Sequence, residues 1–463
     1  MVFNSIFFIF SFLPIFVLVY YLAPRKLKNP ALVLGSLFFY AWGEPVYLIL
    51  MVFSAFFNYY MGMELESLAE DPNSRKRNLI FTVTVNLGIL GFFKYYGFLL
   101  DTVGNLFGVA ISHPQLSLPI GISFYTFKNL SYIFDIYKGK ISAQRRFLTF
   151  AVYSTMFPHM AAGPIVRYAD IEEQLTRRPV NILRFGLGTE YFIKGLAKKI
   201  LLADNLAAIY SGIASGAGST SVVTTWIGIF AYTMEIYFDF SGYSDMAIGL
   251  GKMLGFDFQK NFDYPYTSTS VSEFWRRWHI SLGSWFRDYV YIPLGGNRVS
   301  VPKHIRNILV VWALTGLWHG ASWNFVLWGL YYGLLLLLEK YALSNVLPRL
   351  PKWAANIYTM IAVMIGWVFF SQTDFGSMGK YFLNMFGIGA SGFIDSTAFY
   401  YLKTGLILFI ISILACRPGL YKHFKKMMHR RPRTAAAVNI ILAALCVAFM
   451  VYNSYSPFLY MKF

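Results

Sequence analysis

Cysteine, acidic residues and charge in general are scarce in this chain of 463 residues. Only Cys416 and Cys446 are present, both within or beside apolar runs, so neither a disulfide framework nor a cysteine-rich metal site is supported. Charged residues make up 13% of the sequence, whereas hydrophobic residues make up 57%. A soluble protein could not bury so many apolar side chains in its core. The composition therefore excludes an ordinary soluble protein and predicts that much of the surface faces lipid.

Several familiar catalytic signatures are also absent. The sequence contains no G-x-S-x-G elbow, no Walker-type phosphate loop and no H-E-x-x-H metal helix. The one G-x-G-x-x-G match, at residues 387–392, follows no predicted strand, so we interpret it as a loop. We expect no metal site and no bound cofactor.

Apolar runs of spanning length recur along the whole chain, and a transmembrane helix needs about 20 mostly apolar residues. No internal repeat and no shift in composition divides the chain. We therefore predict an all-α, polytopic membrane helix bundle with about 11 spanning helices plus re-entrant or interfacial helices. Residues 1–463 would form a single membrane domain. The predicted spans are 3–23, 31–60 (long enough for two shorter helices), 79–100, 146–162, 181–203, 222–250, 305–318, 320–340, 353–371, 401–416 and 434–456.

Basic residues outnumber acidic ones by 40 to 22, and they occupy short connections between the apolar runs. Arg25, Lys26 and Lys28, for example, follow the first run at once. Because basic loops beside a span are retained in the cytoplasm, we predict a multi-pass protein with an extracytoplasmic N-terminus. This pattern explains the charge without nucleic acid. The same loops would attract anionic membrane lipids or a phosphorylated donor.

Two stretches break the rhythm of helix and loop. Irregular backbone at membrane depth is tolerated only where protein or a water-filled cavity surrounds it, so these are candidate functional regions. In the first, 113–140, Pro119, Gly121 and Lys128 interrupt an apolar stretch, which suggests a re-entrant segment. The second, 257–304, is too polar to span and too aromatic for an ordinary loop.

Placed on one continuous helix, residues 275–289 divide into two faces. The apolar face would carry Trp275, Trp278, His279, Leu282, Trp285, Phe286 and Tyr289, and the basic face Arg276, Arg277, Arg287 and Asp288. This division predicts an amphipathic helix at the membrane interface or against the bundle, with its basic face toward water or phosphate. Arg277 and Trp278 are candidate residues for binding substrate or for supporting the site. His279 would be either a structural imidazole bonded to a carbonyl group or a functional one.

A second histidine lies in the segment GLWHGASWNFVLWG, residues 316–329. The spacing of Gly316 and Gly320 is typical of packed membrane helices, but helix packing alone gives no reason for His319 between them. An ionisable side chain at membrane depth marks a pathway or a site, and histidine is the usual general base near neutral pH. We predict a functional His319, with Asn324 as a further candidate residue for binding substrate or supporting the site.

Three carboxylates stand in the apolar run 235–251: Glu235, Asp239 and Asp245. They would pair with buried Arg or Lys residues, line a polar cavity or orient a histidine, and the sequence leaves these roles open. We keep Asp239 and Asp245 as candidate residues for binding substrate or supporting the site.

Three motifs, all within residues 235–330, closely resemble the membrane-bound O-acyltransferase family: YFDFSGYSDMAIG at 237–249, DYPYTSTSVSEFWRRWHISLGSWFRDYVYIPLGG at 263–296, and GLWHGASWNFVLWG at 316–329. The resemblance covers nearly the whole chain and is strongest to the bacterial branch typified by the membrane subunit of alginate O-acetylation. It implies a bundle around a tunnel, with His319 of the WHG motif and His279 of the second motif as catalytic residues. His319 would act as the base or as a transient acyl-histidine nucleophile. His279 would orient the acceptor, polarise the thioester carbonyl or hold the tunnel wall.

The resemblance also implies a function. The chain would take acetyl from cytoplasmic acetyl-CoA and pass it across the bacterial inner membrane, for O-acetylation of an extracytoplasmic polysaccharide such as alginate. An extracytoplasmic, hydrolase-like O-acetyltransferase would be its partner. Alternatives within the family are D-alanyl transfer from a carrier protein to teichoic acid and O-acetylation of peptidoglycan. Alternatives of other classes are a transporter for a polymer or lipid-linked sugar and a scaffold without chemistry of its own.

Overall fold

A computed structural model describes residues 1–114, 116–215, 220–452 and 458–459. Within these ranges the chain forms helices and no β-strand, which confirms the all-α class. Five of the described helices are long and apolar enough to cross a membrane: Leu48–Ser67, Pro72–Phe107, Lys352–Ser371, Ser396–Ala415 and Pro432–Tyr452. Phe8–Leu22 is a shorter apolar helix. The total of about 11 spans stays a prediction.

The helices belong to two compact units. The first unit contains Met1–Phe192 and Ser244–Gln259. Its helices are α1 Leu13–Leu22, extended at its start by the π-helical turn Phe8–Phe12, α2 Lys28–Ala41, α3 Leu48–Ser67, α4 Pro72–Phe107, α5 Ile122–Tyr137, α6 Phe147–Thr155 and α7 Tyr168–Thr176. The next helix, α8 Ile182–Ala197, begins in this unit and ends in the second.

The second unit contains Ile193–Tyr243 and Lys260–Phe463. Its helices are α9 Asp204–Ala214, the larger part of α10 Val222–Met253, α11 Val271–Arg277, α12 Ile280–Phe286, α13 Val301–His319, α14 Trp323–Tyr341, α15 Lys352–Ser371, α16 Phe375–Met385, α17 Ser396–Ala415, α18 Pro418–Arg430 and α19 Pro432–Tyr452. The organisation of residues 1–463 as one membrane domain stays a prediction.

The predicted long run 31–60 is two helices, α2 and α3, as its length allowed. The predicted span 146–162 is wrong, because α6 has only nine residues and is about 14 Å long. Met156 leaves the helical conformation at ψ 118°, and Pro158, which has no amide hydrogen, follows within the 3₁₀ turn Phe157–His159. This segment therefore packs inside the first unit instead of crossing a bilayer, and all of its residues from 149 to 162 are buried.

The irregular stretch 113–140 contains one helix, α5, which begins after Gly121. Gly121 has a left-handed φ of 75°, and a Cβ at this position would overlap the Met160 carbonyl oxygen, so only glycine fits. Fourteen of the sixteen residues of α5 are buried. Lys128 is among them, and its Nζ donates to the Ser154 carbonyl oxygen (3.0 Å) and lies 2.9 Å from His159 Nδ1. This helix is surrounded by protein within the first unit.

Candidate active site

Small residues hold His319 at the end of a tightly packed helix pair. His319 is the last residue of α13, and α14 begins four residues later. A Cβ at Gly316 would overlap the Phe325 carbonyl oxygen, and a Cβ at Gly329 would overlap that of Trp312. The two helices therefore approach at backbone contact, the close packing that small residues allow in membrane helices.

His319 is buried in an aromatic cluster. Its ring centroid lies 5.1 Å from that of Trp318, 4.9 Å from Trp328 on α14 and 5.4 Å from Phe370 on α15, all in edge-to-face geometry. Such a cluster excludes water and fixes the orientation of the imidazole ring.

The second histidine lies at a break in the chain, which corrects the prediction of one continuous helix over 275–289. Helix α11 ends at Arg277 and α12 begins at Ile280. Between them His279 adopts the left-handed conformation, with φ 44° and ψ 53°. This region is sparsely populated by residues other than glycine, and such strain often accompanies function. The predicted division of faces is confirmed in part. The apolar side chains are buried or half-buried and Arg276 and Arg287 are exposed, whereas Arg277 and Asp288 are half-buried.

Asn261 holds His279 in place. Its Oδ1 lies 3.1 Å from His279 Nδ1 and accepts from the Ser281 amide (3.2 Å) and hydroxyl (2.8 Å), while its carbonyl oxygen accepts from the Ile280 amide. Because an amide oxygen is only an acceptor, His279 Nδ1 carries the hydrogen and Nε2 is the basic nitrogen. Sequence reasoning missed Asn261, which lies in the irregular stretch 257–304 without a motif of its own.

The structure brings both predicted catalytic histidines together in the second unit. The ring centroids of His279 and His319 lie 6.5 Å apart. Phe240, from α10, packs edge to face on His279 at 4.7 Å, and Trp318 lies 5.8 Å from the same ring. Two imidazoles thus share one buried aromatic environment, which suits proton transfer away from bulk water.

The other predicted site residues in this unit have defined contacts of their own. The Arg277 guanidinium pairs with Glu273 at 2.5 Å and donates to Thr267 Oγ1. Trp278 is buried between Phe262, Phe274 and Trp367. Asn324 is fully buried, and its Nδ2 donates to the Phe369 carbonyl oxygen at 3.1 Å. In the described part of the chain, Asn324 Oδ1 has no hydrogen-bond donor.

Of the carboxylates, Asp239 belongs to a buried ion network. Lys199 Nζ lies 2.7 Å from Asp239 Oδ1 and 2.8 Å from Asp204 Oδ1, and the Leu459 amide donates to Asp239 Oδ2. Pairing with a buried lysine was one of the three roles left open by the sequence. Asp245 is half-buried and belongs to the first unit.

Glu339 is a further buried carboxylate that sequence reasoning missed. From α14 it accepts from the Val271 amide (2.6 Å) and from the Ser272 amide (2.8 Å) and hydroxyl (2.6 Å), at the start of α11. It therefore ties the helix that leads to His279 to the helix that follows His319. The sequence did contain a signal for this residue, because Glu339 is the only acidic residue in the apolar run 320–340.

Known proteins resemble this chain over most of its length. Residues 140–378 match the profile of the membrane-bound O-acyltransferase family. The "Probable alginate O-acetylase AlgI" of Pseudomonas aeruginosa is 38% identical over 96% of this chain and 86% of its own length. The "Peptidoglycan O-acetyltransferase" of Helicobacter pylori is 35% identical over 84% of this chain and 80% of its own, and the "Teichoic acid D-alanyltransferase" of Bacillus subtilis 28% over 55% and 69%. The chain is therefore an integral membrane O-acyltransferase and belongs to the membrane-bound O-acyltransferase family.

Proposed function

We propose that this enzyme takes acetyl from cytoplasmic acetyl-CoA and passes it across the inner membrane for O-acetylation of an extracytoplasmic polysaccharide such as alginate. The observation that carries the proposal is the pair of buried histidines, His279 and His319, in one aromatic cluster. Acyl transfer to a hydroxyl needs a base, and a thioester needs protection from water. The relatives named as O-acetylases of alginate and peptidoglycan support acetyl as the group and a glycan hydroxyl as the acceptor.

In the proposed reaction, His319 removes the proton from the attacking hydroxyl as its oxygen bonds to the thioester carbonyl carbon. The carbon–sulfur bond then breaks, and His319 returns the proton to the sulfur of the departing CoA. In an alternative, second route, the His319 imidazole itself attacks the thioester carbonyl carbon and CoA leaves. The resulting acetyl-imidazole is then attacked by the hydroxyl of the acceptor. The two routes differ in one observable, because only the second leaves labelled acetyl on the protein after CoA departs.

His279 suits a role in orienting substrate. With Nδ1–H donated to Asn261, Nε2 is an acceptor and holds a hydroxyl or amide N–H of a substrate. Polarising the thioester carbonyl would require a donor at this position, and thus a protonated ring. Of the three roles that the resemblance implies for His279, the Asn261 contact favours orientation of the acceptor.

Asn324 is the residue whose contacts best support a direct role in binding. One side of its amide is committed to the Phe369 carbonyl oxygen, while the buried Oδ1 is unmatched within the described residues. A buried acceptor without a donor is costly, so a substrate N–H or O–H at this position would recover a hydrogen bond. We propose that the Arg277 guanidinium contacts a phosphate of the donor while it keeps its ion pair with Glu273. Trp278 would support the wall of the site. Asp239 would support the site from α10, and a role of Asp245 in binding substrate or supporting the site stays a prediction from the sequence.

The wider arrangement is also part of the proposal. About 11 spans would surround a tunnel, with the N-terminus outside and the basic loops in the cytoplasm, where the charged donor arrives. A hydrolase-like O-acetyltransferase outside the membrane would receive the acetyl group and place it on the polymer.

A donor competition in proteoliposomes tests the proposal. The purified enzyme, with its partner on the opposite side, is given radiolabelled acetyl-CoA or a D-alanyl carrier protein, and acylated glycan is counted. We expect label only from acetyl-CoA. Transfer of D-alanine alone would replace the proposal with the teichoic acid reaction named for the Bacillus subtilis relative.

A further inference from the structure

An apolar groove runs along α1 and α2 in the first unit, away from the histidine site in sequence. It has a cavity volume of about 680 Å³, and the hydroxyl of Ser11 is the only polar side-chain group among its thirteen lining residues. We call it the α1–α2 groove. Ile15, Val19 and Leu34 line it and are exposed. It is therefore an open apolar surface on a part of the chain that is too hydrophobic to face water.

Small residues create this groove. Gly35 is in contact with Phe16, since a Cβ at position 35 would overlap the Phe16 ring, so α1 and α2 approach closely there. Ala23 and Ala31 also line the groove, and their short side chains leave space where larger ones would fill it. The lining residues run from Phe7 to Ala23 on one side and from Leu27 to Phe38 on the other, so the groove follows both helices and fits an extended hydrocarbon chain.

One end of the groove carries positive charge. Ala23 and Leu27 line that end, and between them the 3₁₀ turn Arg25–Leu27 presents the exposed side chains of Arg25 and Lys26. No ion pair engages either side chain within the described residues, and the first acidic residue of the sequence is Glu44. Lys28, by contrast, is committed to the Tyr20 carbonyl oxygen at 2.7 Å.

We propose that the α1–α2 groove is a binding site for an anionic glycerophospholipid. One acyl chain lies against Ile15, Val19 and Leu34, and the phosphate and anionic headgroup lie at Arg25 and Lys26. Basic residues close to a membrane surface attract anionic lipid, and a groove that holds the acyl chain converts this general attraction into a defined site. A zwitterionic lipid fills the same groove but gains less from the two cations.

Native mass spectrometry of the full chain in mild detergent tests this site. The protein is supplied with equal amounts of phosphatidylglycerol and phosphatidylcholine that have identical acyl chains, and retained adducts are counted. We expect the wild type to retain phosphatidylglycerol preferentially. In the Arg25→Gln/Lys26→Gln variant, the ratio of phosphatidylglycerol to phosphatidylcholine adducts should fall roughly tenfold. A second variant, Ala31→Trp, fills the groove and should lower the adducts of both lipids.

The matched control removes two exposed cations elsewhere, Arg349 and Lys352, as Arg349→Gln/Lys352→Gln. It should keep the wild-type preference. Equal retention of both lipids by the wild type would overturn the proposal. The same conclusion would follow if the control lost the preference as strongly as Arg25→Gln/Lys26→Gln, or if Ala31→Trp kept all its adducts.

Discussion

The rings of His279 and His319 lie 6.5 Å apart, centroid to centroid, although forty residues separate them in the sequence. Two different local structures set this distance. His319 ends a helix that packs on its neighbour through glycines, whereas His279 occupies a left-handed junction held by Asn261. Each support can be removed without touching either histidine.

Replacing Asn261 with leucine should lower kcat for acetyl transfer by roughly 100-fold, because the side chain that fixes the His279 ring is lost while the buried volume is kept. KM should change much less. The Asn261→Asp variant keeps an oxygen acceptor and should retain more activity than Asn261→Leu. Steady-state acetyl transfer measures both constants, and equal activity of Asn261→Leu and the wild type would show that His279 needs no such support.

His279 is strained, so the identity of its replacement should matter for stability. Asparagine tolerates the left-handed region better than alanine, so His279→Asn should be more stable than His279→Ala by about 1 kcal/mol. Both variants should lose acetyl transfer if the imidazole is needed. Thermal unfolding in detergent compares the two proteins, and identical midpoints would argue against strain at this junction.

Gly316→Ala should destabilise the α13–α14 pair by about 1–3 kcal/mol, since the new methyl group overlaps the Phe325 carbonyl oxygen. Acetyl transfer should fall as well, because His319 is one turn away. Gly88→Ala is the matched control. Gly88 is also helical, but it has open space around it, so its variant should unfold at or slightly above the wild-type temperature. If both variants behaved alike, close helix contact would not be what places His319.

Glu339→Ala should lower the free energy of unfolding by about 2–4 kcal/mol, because the buried Val271 amide and the half-buried Ser272 amide at the start of α11 lose their acceptor. Glu339→Gln keeps one acceptor oxygen and should lie between Glu339→Ala and the wild type. Glu172→Ala removes an exposed carboxylate and should change the free energy of unfolding by no more than about 0.5 kcal/mol. Chemical or thermal unfolding of the three variants orders them, and the reverse order would contradict the capping role.

Sequence patterns predicted the parts of this fold that depend on local composition. The all-α class follows from repeated apolar runs, and the break within 31–60 follows from its length. Helical spacing predicted which side chains of residues 275–289 point inward, because the break between α11 and α12 is short. His279 and His319 were both identified by their motifs, and the structure places them in one cluster.

The features that the sequence did not predict depend on contacts between distant residues or on a single backbone angle. Helical periodicity cannot register one left-handed residue, so the break at His279 was missed. Asn261 acts eighteen residues away from His279, and Lys199 pairs with Asp239 across forty residues, so neither partner follows from spacing. Hydropathy alone predicted a membrane-spanning helix over 146–162, but α6 ends at Thr155 because Met156 and Pro158 do not continue it.

Transfer of radiolabelled acetyl from acetyl-CoA in proteoliposomes, comparing the wild type with His319→Ala at equal amounts of folded protein, tests the central claim most directly. Catalysis through His319 predicts a donor-dependent signal in the wild type that falls to background in His319→Ala, while both proteins unfold at similar temperatures. Undiminished transfer by a folded His319→Ala protein would contradict it.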